Sequence, residues 1–365
     1  MIGQIRNIFP GGNTSAGFYS YYRYILPQEN AERIFCIKGG PGVGKSTLMK
    51  NICSYFAKKG EDVDVFRCSS DPDSLDGILL KERQIAIVDG TAPHVTDPLN
   101  PGSVDEIVDL GQYLDVKALY KKRNDIMKCT SEISGIFDAA YVYLKCAGIE
   151  YKHMARLIGD VRIKDSNSLM MQLDELQKKQ EDETNNEGSV RRFFAGAITS
   201  GGIKSCISSL AKGIDKVFAI AVPAGAGTAN LLRQASAKLR ACGFAVEEFY
   251  CPMEPGSKLE HIVSQEAGVA VFSINEYHGN MLSSERSDII KITPELHEMT
   301  QQEKKIYEEL KESSRLNIEK AIAMLKQAKA LHDELESFYI PAMDFDKIEA
   351  VKHDIINKIE SRPFA

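Results

Sequence analysis

Gly39-Gly40-Pro41-Gly42-Val43-Gly44-Lys45-Ser46 matches the spacing G-x-x-x-x-G-K-[ST], with Thr47 directly after it. The chemistry open to these residue types is phosphate binding. Glycines let the backbone curl until successive N–H groups point into one concavity that fits phosphate oxygens. A helix beginning at the Lys adds unpaired donors and a partial positive charge. Lys45 can bridge the terminal phosphates of a nucleoside triphosphate, and the Ser46 hydroxyl can coordinate Mg²⁺. Gly40, Pro41, Gly42, Val43, Gly44, Lys45, Ser46 and Thr47 are therefore the expected contacts of ATP, with Mg²⁺ as its metal.

A metal held there needs a carboxylate, and Ile85-Ala86-Ile87-Val88-Asp89 ends an apolar run on one. Asp89 is expected to hold the metal with Ser46, directly or through water. Gly90 follows it, where motor and transporter ATPases carry a water-activating Glu. Asp89-Gly90-Thr91-Ala92 departs from the GTPase D-x-x-G pattern, and N-K-x-D is absent from the sequence, so ATP is expected over GTP. Cys68-Ser69-Ser70-Asp71-Pro72-Asp73 follows the second apolar run, and Asp71 is either a substrate-placing carboxylate or a turn and helix-capping residue ahead of Leu75. His94 is open to a catalytic or a structural role. So are the Gly11-Gly12-Asn13-Thr14-Ser15 stretch and its later likeness around Thr199. Arg6 and Arg191 are candidate charge-neutralising cations.

The elements that must position these groups read as strand, helix, strand, strand. Apolar runs at 33–38, 63–68 and 85–89 suit buried parallel strands, with a helix from Lys45 to about Lys59 between the first two. The pattern recurs with runs at 216–222, 245–251 and 269–274 and a helix from about Thr228 to Ala241. Residues align in register across the copies: Arg6 with Arg191, Phe35 with Phe218, Gly42 with Gly225, Cys68 with Cys251, His94 with His278. This is an internal duplication. In the second copy Thr228-Ala229 replaces Lys45-Ser46 and Ser273 replaces Asp89, so only the first is expected to bind nucleotide. Each copy is followed by a helical stretch, from about Val116 to Lys179 and from about Pro294 to Ser361 with a break at Pro341. The expected division is 1–112, 113–187, 188–293 and 294–365, with a polar linker at 181–189 across the second boundary. The fold class expected is α/β: tandem P-loop domains, each a parallel sheet with flanking helices, forming an intramolecular pseudo-dimer.

Composition narrows the partners. The chain has 365 residues, a net charge of -6 and a pI near 5.8. An acidic chain whose tightest basic cluster is Lys121-Lys122-Arg123 argues against nucleic acid. No apolar stretch reaches membrane-spanning length, and the eight cysteines are scattered without a CxxC pair. A cytoplasmic protein with neither membrane nor nucleic-acid partner is expected.

Residues 33–94 resemble the kinase-like core of P-loop NTPases. The whole chain resembles a bacterial family of ATPase-like proteins with two P-loop-derived halves, on Phe9-Pro10-Gly11-Gly12-Asn13-Thr14, Cys68-Ser69-Ser70-Asp71 and Val88-Asp89-Gly90-Thr91-Ala92-Pro93-His94. The resemblance implies an Mg-dependent ATPase acting as a nucleotide-driven switch on a partner, or a kinase passing the γ-phosphate to a small molecule. Lys45, Asp89 and Asp71 are the expected catalytic residues.

Overall fold

The computed structural model describes residues 2–91, 97–159, 162–163, 166–180, 187–278, 289–292 and 294–361. It opens with β1 (Ile5–Ile8) and a hairpin of β2 (Gly11–Thr14) and β3 (Gly17–Ser20). Then come β4 (Arg33–Lys38), α1 (Lys45–Lys58), β5 (Val63–Arg67), β6 (Leu75–Leu80), β7 (Ile85–Asp89) and β8 (Asp105–Asp109). The sheet order is β1-β5-β6-β7-β4-β8, and β6 runs antiparallel to both of its neighbours while the other pairs are parallel. The sheet is thus mixed rather than parallel, and Leu75 begins a strand rather than a capped helix. Every residue of β6 is buried, Asp76 and Gly77 included, so the polar-apolar alternation that marks a half-exposed strand is missing.

After α2 (Val116–Lys121), α3 (Arg123–Ile158), β9 (Arg162–Ile163) and α4 (Ser166–Gln180), the plan repeats. The second half has β10 (Val190–Phe193), the hairpin β11 (Gly196–Thr199) and β12 (Gly202–Ser205), a short α5 (Ile207–Leu210), β13 (Lys216–Ala221) and α6 (Ala229–Ala241). It continues with β14 (Val246–Tyr250), β15 (Leu259–Ser264), β16 (Val269–Ile274) and β17 (Ile289–Ile292). The order β10-β14-β15-β16-β13-β17, again with one antiparallel strand at β15, reproduces the first sheet. The molecule is α/β with two similar halves, as a duplication requires. β18 (Pro294–Glu295) pairs with β9, and α7 (Gln301–Tyr339), a 3-10 turn over Ile340–Ala342 and α8 (Phe345–Glu360) finish the chain. Among the described residues no helix is long and apolar enough to cross a membrane.

Strand periodicity sorts the first core. Ile85 and Ile87 of β7 face a cluster shared with α1 and with Ile348, Ile355 and Ile359 of α8, while Ala86 and Val88 face a second cluster that continues into the second half. The C-terminal helix thus belongs to the core of the first half. α3 and α7 lie antiparallel along each other: Cys129 Sγ reaches Leu331 O, Ser314 Oγ reaches Ala147 O, and Asn317 donates to Glu150. α7 starts at a Thr300–Glu303 capping box, and its early residue Tyr307 donates to Ala224 O in the second half. It ends against the first half, where the Tyr339 ring packs on Gly40. Each long arm therefore bridges from one half to the other.

The halves meet about a pseudo-twofold. Phe9 pairs with its own counterpart Phe194 through two backbone hydrogen bonds, and such self-pairing marks a contact related by twofold symmetry. Beside it Arg6 holds Asp64 and Glu247 through bidentate pairs, every N–O distance 2.8 Å, and Arg191 bonds the same two carboxylates. Arg6 and Arg191 are thus interface residues, engaged with carboxylates rather than placed against the Gly39–Thr47 turn. Burial, the largest single influence, would raise both carboxyls, but the guanidiniums of Arg6 and Arg191 together outweigh it and hold Asp64 and Glu247 below the usual carboxylate range.

Candidate functional site

The site begins where β4 stops. β7 lies parallel beside β4 with Ile37 opposite Asp89, which sets Asp89 level with the end of β4. The chain then turns through Gly39–Gly44, with Gly42 at φ 67° and Gly44 at φ 89°, a region that a side chain would strain. α1 starts at Lys45. Lys45 Nζ folds back to donate to Gly39 O and Gly40 O at 2.9 Å each, and stands 3.6 Å from Asp89 Oδ2. Asp89 Oδ1 accepts from Thr91 N at 2.8 Å, and Thr91 Oγ1 donates to Gly39 O at 3.0 Å, tying the end of β7 to the turn. Ser46 Oγ accepts from Leu75 N at 3.1 Å, which fixes the hydroxyl oxygen against the start of β6.

These residues pass a direct test of fit for a phosphate ligand. The N–H groups of Gly40, Gly42, Val43 and Gly44 donate to no backbone acceptor among the described residues. They sit at the start of a 14-residue helix, with a lysine and a carboxylate converging on them. Lys45 and Asp89, singled out by type and spacing, are brought together, and Ser46 follows Lys45 in the first turn of α1 with its oxygen on Leu75 N. Asp71 is not free: it accepts from Asp73 N at 3.2 Å and Ser74 Oγ at 2.9 Å, and faces Lys329 Nζ of α7 at 3.5 Å. His94 lies outside the described residues.

Glycine is required here for a second reason. A Cβ at Gly40 would stand 2.8 Å from the Tyr339 ring, and one at Gly42 would meet Ile340 and Glu336 at 3.1–3.3 Å. The end of α7, from the other half's arm, packs directly on the turn.

The second half keeps the frame and drops the charges. Gly225 has φ 88°, and a Cβ there would stand 3.0–3.3 Å from Ala155, Met154 and Tyr151 of α3. Where the first half pairs Lys45 with Asp89, the second pairs the hydroxyls of Thr228 and Ser273 at 2.5 Å, both buried.

A cavity of about 50 Å³ lies in the second half, between the β11–β12 hairpin and the sheet, with Tyr151 of α3 and Ile318 of α7 in its wall. Glu260, His261 and His278 converge there. A bulge between Phe249 and Tyr250 puts sequence neighbours Glu260 and His261 on the same cavity. Two imidazoles and a carboxylate are a ligand set for zinc, but the hydrogen bonds oppose it. His261 Nδ1 accepts from Ser273 N and His278 Nδ1 from Asn275 N. Each Nε2 then carries the ring proton and offers a metal no lone pair. Instead His278 Nε2 lies 3.5 Å from Glu260, and Lys258 donates to Tyr151 OH at 2.8 Å. Burial, aided by His278, keeps His261 neutral, its pKa lowered to about 3. Sequence reasoning marked His278 but missed Glu260, His261 and Lys258. The one available signal was an acid beside a histidine inside an apolar run.

The family model described as Nephrocystin 3, N-terminal, matches residues 20–79, a stretch that contains β4, the glycine turn, α1, β5 and most of β6. No curated protein and no solved structure matches the chain.

Proposed function

We propose that the first half binds one Mg·ATP on Gly39–Thr47 as a P-loop, and that the chain is an ATPase whose nucleotide state is passed to its helical arms. The observation that carries this reading is Lys45 Nζ 3.6 Å from Asp89 at a turn whose Gly40, Gly42, Val43 and Gly44 N–H groups have no backbone partner among the described residues, with Ser46 next in the helix. The turn would hold the phosphates, Lys45 would exchange its carbonyl partners for phosphate oxygens, and Ser46 with Asp89 would hold the metal. Bound Mg²⁺ supplies charge neutralisation at the terminal phosphates. The similarity of residues 20–79 to the N-terminal region of Nephrocystin 3 covers this stretch. Switching is favoured by the packing of Tyr339, Glu336 and Ile340 on the turn, because a ligand that reshapes the turn must move against α7.

Purified protein with γ-labelled ATP and Mg²⁺, alone and with a soluble metabolite extract, tests the reaction. Label released as free phosphate is expected, whereas label appearing in a metabolite would replace the ATPase with a kinase. Lys45→Ala should weaken ATP binding at least about tenfold, the worth of one lost charge-assisted hydrogen bond. Titration should give one nucleotide per chain, since Thr228 and Ser273 offer the second turn neither cation nor carboxylate. Binding by Lys45→Ala at wild-type strength would refute the site.

A further inference from the structure

α7 touches both rims of the candidate phosphate site. Leu325, Lys329, His332 and Glu336 recur at spacings of four, three and four, which places them along one helix face. At the lower end of this face Glu336 lies on Gly42, and about 10 Å back along the helix Lys329 stands 3.5 Å from Asp71. Asp71 in turn belongs to the segment that holds the metal-binding hydroxyl: Ser74 donates to Asp71, and the next residue, Leu75, donates to Ser46 Oγ. α7 thus spans from the Ser46 side of the site to the turn itself, with a lysine on the Ser46 side.

We infer that Lys329, carried on the second half's arm, is a second phosphate-binding cation of the first half's site, engaging the γ-phosphate of a bound triphosphate. This rests on the P-loop reading above. Lys45 is the cation that the turn itself, Gly39–Thr47, brings to the phosphates, and triphosphate sites commonly add a further positive group from another element to meet the charge on the γ-phosphate. Lys329 is free to serve. Its partner Asp71 is already satisfied by Asp73 N and Ser74 Oγ, and its other partner, Asp333, sits one turn along the same helix on the surface. The ammonium can leave both carboxylates without stranding a buried charge. Because the group comes from the far half's arm, the triphosphate is the ligand that fastens α7 down, and a diphosphate leaves it loose.

The test is calorimetric titration of the full chain with Mg²⁺ and either ADP or a non-hydrolysable ATP analogue. Wild type is expected to prefer the analogue. Lys329→Met keeps the aliphatic stem and should lose about tenfold or more of analogue affinity, with ADP affinity unchanged. Lys329→Arg should keep the preference. Asp71→Asn should keep or strengthen it, since a lysine released from its carboxylate binds phosphate more readily. Unchanged analogue binding by Lys329→Met, or equal losses for analogue and ADP, would overturn the assignment while leaving the P-loop reading intact. A wild-type chain that binds neither nucleotide would overturn both.

Discussion

Arg6→Met removes one guanidinium from a buried group of four charges and leaves a side chain of comparable length in its place. Arg6 is 2% exposed and makes its hydrogen bonds to Asp64 and Glu247 at 2.8 Å. After the substitution Arg191 alone faces two carboxylates, and its Nη2 already serves both. Deleting one partner of a buried ion pair costs about 3–5 kcal/mol, a large share of the roughly 5–15 kcal/mol that holds an ordinary domain together. The pH dependence separates this account from a mere packing defect. In wild type both carboxyls titrate below their unfolded values. Their contribution is therefore complete above about pH 5 and lost as pH falls through the folded values. In Arg6→Met burial prevails for one carboxyl, which then titrates above its unfolded value. The variant is weakest at high pH and regains up to about 1.4 kcal/mol per pH unit on acidification, until that carboxyl is protonated. The chain has no tryptophan, so urea unfolding is followed by far-ultraviolet circular dichroism at pH 8 and pH 5.5. Adding Glu247→Gln restores neutrality and should recover about 1–3 kcal/mol. A loss under about 1 kcal/mol at pH 8 would put the cluster with exposed ion pairs and refute the reasoning. So would a loss that Glu247→Gln does not relieve.

Gly42→Ala forces a Cβ onto a left-handed residue and into Ile340 and Glu336. It should cost about 1–2 kcal/mol in urea stability and speed proteolysis near residues 340–344, and an unchanged cleavage rate would count against the contact. His261 gives a second pH signature, since Ser273 N donates to its Nδ1 and burial keeps its imidazole neutral down to about pH 3. The unfolded chain protonates this group below its ordinary pKa while the folded chain does not, so stability should fall by about 1.4 kcal/mol per unit as pH drops from about 6.5. His261→Gln should flatten that slope in the same urea titrations, and a slope identical to wild type would sink the claim.

The glycine turn was legible because everything that defines it is local. A strand end, six residues of turn and the first turn of a helix lie in one stretch of chain, and the carboxylate that joins them ends the next apolar run but one. The duplication was legible because apolar runs and glycines recur in register. β6 escaped because a fully buried strand carries no alternation, and Asp76 and Gly77 break what pattern remains. Arg6 and Arg191 were visible as a matched pair, but not their shared partners, which lie 58 and 241 residues from Arg6. The Glu260–His261 arrangement depends on a bulge that no side-chain pattern announces.

The least legible feature is which sheet each arm serves, and there the duplication takes on physical meaning. Gly42 and Gly225 occupy equivalent positions in the two turns, both with positive φ, and each is pressed by the end of a long helix that bridges the halves: α7 on Gly42, α3 on Gly225. The two helices have 36 and 39 residues, about 54–58 Å each, and lie antiparallel, so the two turns sit near opposite ends of one strut. Side chains packed along that length make it stiff. One continuous packed seam therefore links the two turns, from Gly42 along α7 and α3 to Gly225 and the cavity walled by Tyr151 and Ile318. The second turn can lose its lysine and carboxylate and still need its glycine, because the helix end that rests there needs the space whether or not a phosphate does.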